Sequence, residues 1–157
     1  METGYTVMDI MTTKPIKIDQ ESTAQQAAKL MKEKDVSSLI VTNNDELIGI
    51  ITEEDFTYKI VAQNEKANEI KIKEIMTGKK ELKTITPDKD IQEAIKLMNE
   101  YEVRRLPVVH NGELKGLLTN KDILKIEPTL FEITVDKIML REEERKLLNT
   151  TENPYEE

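Results

Sequence analysis

The chain has 157 residues and a formal net charge of −8, long enough for one domain with a sizeable core or for two small subdomains sharing one. The acidic balance opposes an extended footprint on nucleic acid, which needs basic side chains to displace phosphate counterions. Cysteine is absent, which removes disulfides and thiolate metal sites; no run of about 18 apolar residues and no basic-then-apolar leader occurs, so a soluble, cytoplasmic chain is expected.

The hydrophobic fraction is 38%, and with two Phe, four Tyr and no Trp the core is expected to be built from Ile, Leu, Val and Met. After the helical lead-in MDIM (8–11), Ile16 to Ile18 reads as a short extended piece. Ser22-Thr23 then signals a helix start, and Ala27, Leu30 and Met31 recur at helical spacing. A strand over Ser37 to Thr42 follows. Asn43-Asn44-Asp45 tolerates positive φ and joins it to a second apolar strand, so the pair reads as a hairpin. That strand ends in Gly49-x-x-Thr52 and passes into a helix.

The same series then begins again. KEIM (73–76) is a second lead-in, Lys83 to Ile85 is extended, and Pro87-Asp88 signals a helix carrying Ile91, Ala94, Ile95 and Met98 on one face. Arg104 to His110 is a strand, His110-Asn111-Gly112 a turn, and the next strand ends in Gly116-x-x-Thr119. VDKIM (135–139) resembles the lead-ins and is expected to pack as a helix. A charged helix, REEERKLL, and a frayed tail, NTTENPYEE, are expected after it.

Residues 15–56 laid on 82–123 give roughly 15 identities in about 42 positions, several times chance, so an internal duplication organises the chain. AQQAAKLMKEKDVSSLIV answers IQEAIKLMNEYEVRRLPV, NNDELIGIITEED answers HNGELKGLLTNKD, and MDIMT (8–12) answers KEIMT (73–77). The expected class is α+β, with a β-α-β-β-α unit given twice. The expected domains are residues 7–66, residues 67–126, and a helical segment with an acidic tail at 127–157.

No catalytic constellation is evident. His110 lies in a hairpin turn with no nucleophile near it in sequence, and it reads as an exposed turn residue. HExxH and GxxxxGK motifs are absent, so metal and Walker-type sites have no support. Glu53-Glu54 and Glu142 to Glu144 read as solvated helix faces, and Met11, Met76 and Met139 as core packing. The segments Gly-x-x-Thr-x-x-Asp at 49–55 and 116–122 admit two readings. One is a capping box, in which Thr and Asp satisfy backbone N–H groups at a helix mouth. The other is a ligand grip, with the Asp accepting from a ribose diol and the Thr meeting a phosphate where unpaired N–H groups favour anions. Glycine inside a strand fits the second reading, since it often marks a close approach of backbone or ligand.

The duplicated unit, with its IMT lead-ins, VRRLPVV strand and GLLTNKD segment, resembles the CBS domain, named after cystathionine β-synthase, in its usual tandem pair. The likeness covers residues 7–126. It implies a tandem CBS-domain pair with two clefts related by pseudo-twofold symmetry, where many members bind AMP, ADP, ATP or S-adenosylmethionine. Carried onto this sequence, Thr52 and Asp55 would hold one nucleotide and Thr119 and Asp122 the other. Backbone near Thr12 and Ile16, or Thr77 and Leu82, would line the adenine pocket. The first strand of each hairpin also contributes and can reach the partner copy's cleft, which brings in Ser37, Arg104, Arg105 and Pro107; Lys121 lies within the second motif.

The copies differ where it matters. Ser37-Ser38-Leu39-Ile40 stands against Arg104-Arg105-Leu106-Pro107, and Glu53-Glu54 against Asn120-Lys121. Unequal affinities are expected, since the two glutamates repel phosphate unless the arginines cross to their cleft. The resemblance further implies a regulatory, energy-sensing role without catalysis, no cofactor or metal, a homodimer, and signalling to an unidentified regulated protein. Nucleic acid and membrane are not expected partners. The alternative of a different class is a constitutive interaction module whose Thr/Asp pairs merely cap helices.

Overall fold

The computed structural model describes residues 3–126. The chain divides into two units, the first running to Thr119 and the second starting at Asn120. In the first unit the elements are α1 (Val7–Ile10), β1 (Lys17–Asp19), α2 (Ala24–Lys34), β2 (Ser38–Asn43), β3 (Glu46–Thr52), α3 (Glu53–Phe56, continuing as a π turn, Thr57–Val61), α4 (Ile72–Ile75), β4 (Thr77–Gly78), α5 (Ile91–Glu100), β5 (Arg105–His110) and β6 (Glu113–Thr119). In the second, α6 (Asn120–Ile126) buries Asp122 and Ile123. The expected segments VDKIM, REEERKLL and the tail, with Met139, lie outside the described residues.

Local chemistry starts and stops these elements. Thr23 caps α2: its hydroxyl accepts from Gln26 N–H at 3.2 Å, and Gln26 Oε1 accepts from Thr23 N–H at 2.8 Å, a capping box. In the second copy the cap is Asp90, which accepts from Gln92 N–H at 2.8 Å, rather than the expected Pro87-Asp88. Asp90 occupies the position matching Thr23, and the Pro87 carbonyl is used elsewhere, accepting from Met8 N–H at 3.0 Å. Both hairpins turn through two residues of positive φ, Asn44-Asp45 (48° and 65°) and Asn111-Gly112 (51° and 79°), the turn whose twist matches flanking strands.

The first repeat forms a sheet of order β1-β2-β3-β4, with β1 parallel to β2 and the rest antiparallel. Strand β2 is buried along five successive residues, which is why SLIVT reads as a continuous run without alternation. Leu39, Val41 and Ile51 pack with Ala27, Met31, Ile72 and Ile75 in one core cluster. Ile40 and Ile50 point the other way and meet Leu117, Leu47, Leu82 and Leu114. That second cluster joins the repeats.

The second repeat keeps the order but loses its outer strands. The expected strand at Lys83 to Ile85 is reduced to a single bridge, Ile85 to Val108. Proline is the reason. In the first repeat Ile40 N–H donates to Ile16 O at 3.0 Å and extends the ladder; the matching residue is Pro107, which has no N–H to give.

The lead-ins are exchanged between repeats. Thr12 pairs with Leu117 of β6 through N–H···O bonds of 2.9 Å in both directions, and Val7 N–H donates to Lys89 O at 2.8 Å. Reciprocally, Thr77 pairs with Ile50 and Gly78 with Gly49. Residues 67–78, assigned on sequence grounds to the second copy, hydrogen-bond to the first: Ala24 N–H to Ile70 O at 2.8 Å, Gln25 N–H to Ala67 O at 2.9 Å, Ile72 N–H to Ser22 O at 2.9 Å. Each lead-in therefore closes the sheet of the other repeat, and the exchange is reciprocal.

Candidate functional site

The two strand glycines serve this exchange. A Cβ on Gly49 would stand 2.4 Å from Thr77 O and 2.9 Å from Met76 Sδ; one on Gly116 would stand 2.6 Å from Thr12 O and 2.8 Å from Met11 Sδ. Backbone approaches at both positions, so the close-approach reading holds for protein backbone. Met11 and Met76 lie over these glycines, and Met76 packs on the core.

Beyond Gly49, β3 ends at Thr52 and the chain turns into α3. Asp55 Oδ2 accepts from Thr52 N–H at 2.9 Å and from its hydroxyl at 3.3 Å. The capping half of the expectation is thus formed. Asp55 is nevertheless a buried carboxylate, and its other oxygen accepts from Lys59 Nζ at 2.7 Å. The same ammonium donates to Ile75 O, at the end of α4, at 2.6 Å. A carboxylate has about four acceptor positions, so room for further donors remains on Asp55. Lys59 was not among the residues singled out from sequence. The signal was present, since residues four apart share a helix face, but the tie to Ile75 is a tertiary contact.

Arg105 of the second repeat crosses to the first. Its Nη2 donates to Ser37 Oγ at 2.6 Å, and Ser37 O accepts from Glu53 N–H at 3.2 Å. Ser37 therefore links the arginine to the first turn of α3. Burial pulls the Arg105 guanidinium below its usual range, and the carboxylates of Glu53, Glu54 and Asp55 oppose that shift while neighbouring Arg104 adds to it. Arginine stays charged regardless. Arg104 itself is exposed and Pro107 is fully buried.

The remaining expected residues fall as follows. Ile16 packs on the first core cluster and Leu82 on the cluster between repeats, with Leu82 N–H donating to Gly78 O at 3.0 Å. Thr12 is exposed and Thr77 half-buried. In the second repeat, Thr119 ends β6 opposite Arg105. Asp122 is buried in α6 with Lys125 Nζ 3.6 Å away, and Lys121 is exposed. His110 is an exposed strand end beside the turn. Among the described residues no group of His, Asp and Glu is arranged to hold a metal ion, and no helix is long and apolar enough to cross a membrane.

A duplicated α+β unit with exchanged lead-ins and a Gly-x-x-Thr-x-x-Asp segment after each hairpin defines a class, and comparison with known proteins agrees. The chain matches the CBS domain over residues 7–62 and 72–128; it belongs to the CBS-domain family and carries the domain twice. An uncharacterized protein of Methanopyrus kandleri is 36% identical over 138 residues, 87% of this chain and 67% of that one. An uncharacterized protein of Methanocaldococcus jannaschii is 32% identical over 124 residues, 77% of this chain and 66% of that one. The chain thus spans about two thirds of the length of these relatives. It also matches 26% of the inosine-5′-monophosphate dehydrogenase of Korarchaeum cryptofilum, at 34% identity over 139 residues, or 88% of this chain. Among solved structures, a CBS domain pair in complex with 5′-methylthioadenosine and S-adenosyl-L-methionine superposes with a TM-score of 0.71 at 28% identity, covering 80% of this chain and 97% of that one. The hexameric CBS-CP12 protein from bloom-forming cyanobacteria gives 0.69 at 28% identity, covering 94% and 88%.

Proposed function

We propose that the chain is a regulatory module, not an enzyme, that binds an adenosine-containing ligand at the Thr52/Asp55 motif and passes its occupancy to a partner protein. The observation that carries this reading is the reach of Arg105 from one repeat to Ser37 of the other. It sets a guanidinium at the mouth of the motif, where capping alone has no use for one. Asp55 offers acceptors to a ribose diol, and the Thr77 backbone lies against Gly49, with Leu82 N–H bonded to Gly78 O, to line the base. AMP, ADP, ATP and S-adenosylmethionine are the candidate ligands, supported by the domain pair solved with two adenosine compounds. The mechanism is differential affinity: a ligand touching both repeats shifts the module only as far as it prefers one arrangement. Self-association is part of the proposal, supported by a hexameric relative and by exposed Tyr58 and Val61 after α3.

Isothermal calorimetry with the four ligands, with Asp55→Ala as control, tests the reading. Heat with at least one ligand, weakened in the variant, is expected. A ligand at 100 times its dissociation constant should also raise stability by roughly 2.7 kcal/mol. One observation favours the constitutive interaction module instead: Lys59 and Thr52 already give Asp55 donors without any ligand. Absence of heat with every ligand would favour that second reading, and undiminished binding in Asp55→Ala would refute the assignment of the ligand to this motif.

A further inference from the structure

The charges gathered at the Thr52/Asp55 motif are unusual for a site that takes polyphosphates. Glu53 and Glu54 follow Thr52 directly and are exposed. Neither has an ion-pair partner within 4 Å among the described residues, whereas Asp55 is matched by Lys59 at 2.7 Å. Glu53 is tied to Ser37 through its own N–H at 3.2 Å, and Arg105 to the same serine at 2.6 Å, so the one guanidinium held at this mouth faces carboxylates. Counting Arg104 as well, Glu53, Glu54 and Asp55 are set against Lys59, Arg104 and Arg105, and the sum is zero. Binding of a triphosphate calls for an excess of cations or a metal ion, since each added phosphate brings charge that must be matched. The positions matching Glu53 and Glu54 in the second repeat hold Asn120 and Lys121, a change from two negative charges to one positive.

We propose that Glu53 and Glu54 are specificity-determining residues that set the first repeat's motif against ADP and ATP and in favour of adenosine ligands whose 5′ substituent is neutral, cationic or a single phosphate. This rests on the adenosine-ligand reading above. Arg105 supplies enough positive charge for one phosphate or for the carboxylate of an amino-acid substituent. The glutamates oppose anything longer and suit a sulfonium or ammonium group.

The test is calorimetric titration of wild type and Glu53→Gln/Glu54→Gln with 5′-methylthioadenosine, AMP, ADP and ATP, at low salt and without divalent cations. Both substitutions are on exposed side chains, and the second repeat is untouched, so the difference between the two proteins reports the first motif. ATP binding should tighten about threefold or more in the variant, AMP less, and neutral 5′-methylthioadenosine not at all; added salt should shrink the gain. Unchanged ATP affinity, or an equal gain for all four ligands, overturns the proposal while leaving the adenosine reading intact. Failure of wild type to bind any of the four or S-adenosylmethionine overturns that reading, and this one with it.

Discussion

Replacing Gly49 by alanine should destabilise the protein by about 3 kcal/mol, against the sign that strand chemistry alone predicts. A glycine in a strand costs roughly 0.5–1 kcal/mol relative to alanine through backbone entropy, so an ordinary strand position would gain from the change. Here the new methyl would lie 2.4 Å from Thr77 O and 2.9 Å from Met76 Sδ. The sulfur sits on a flexible side chain and can move, but the carbonyl belongs to β4, which Gly49 and Ile50 hold in register. Relief needs β4 to lift. That sacrifices hydrogen bonds worth about 1 kcal/mol each and repacks the surrounding core at about 1–3 kcal/mol. Gly78→Ala is the internal control: its Cβ meets nothing nearer than Met76 Cε at 4.0 Å, and its φ is not positive. Urea unfolding of wild type and both variants, compared through midpoint and slope, measures the difference. A Gly49→Ala protein within about 0.5 kcal/mol of wild type, or no less stable than Gly78→Ala, would refute the idea that the motif's glycine is reserved for the exchanged lead-in.

Other outcomes follow from the same contacts. Asp55→Ala should cost about 1–2 kcal/mol without any ligand, because it removes the Thr52 cap and leaves Lys59 with one partner; thermal unfolding reads it, and a loss below about 0.3 kcal/mol contradicts the cap. Pro107→Ile places an N–H where the first repeat has Ile40, and hydrogen exchange should find a protected amide at 107 as the parallel ladder lengthens; rapid exchange there would count against the proline explanation. Gly112→Val puts a β-branched residue at φ 79° and should cost at least about 1–2 kcal/mol, measured by denaturant midpoint. The Asp90 carboxyl is held below its ordinary 3.8, chiefly by the Gln92 N–H and further by Thr3 and Gly4. A depressed folded value means its contribution is present above the unfolded pKa and is lost as pH falls through the folded one. Asp90→Asn should therefore lose less Tm than wild type on acidification from pH 7 to about pH 3; equal losses would show that Asp90 does not contribute.

The repeat, both hairpins and the residues that turn them were legible in the sequence, because these features are local. Turn residues that accept positive φ, apolar runs buried on both faces, and Thr or Asp at helix starts act over a few residues, and the duplication states each twice. The resemblance to the CBS family rested on the same segments, and so did the expectation that Thr52 and Asp55 belong together. Even Pro107 carried its message, a missing N–H, although its effect on the strand at Lys83 to Ile85 shows only once the matching Ile40 to Ile16 bond is seen.

What the tertiary structure decided is everything that joins residues far apart along the chain. The spacing of MDIMT and KEIMT could not reveal that each lead-in closes the other repeat's sheet, because hydrogen-bond partners across a sheet leave no periodic trace. The crossing of Arg105 was a conditional in the sequence and a contact in the fold, set by packing Ile40, Ile50 and Leu117 face to face. Lys59 looked like one more charge on a helix until α4 brought the Ile75 carbonyl to it. Sequence fixes the local geometry because backbone sterics and capping are short-ranged; the site depends on which surfaces those elements bury together, and that is settled by the core.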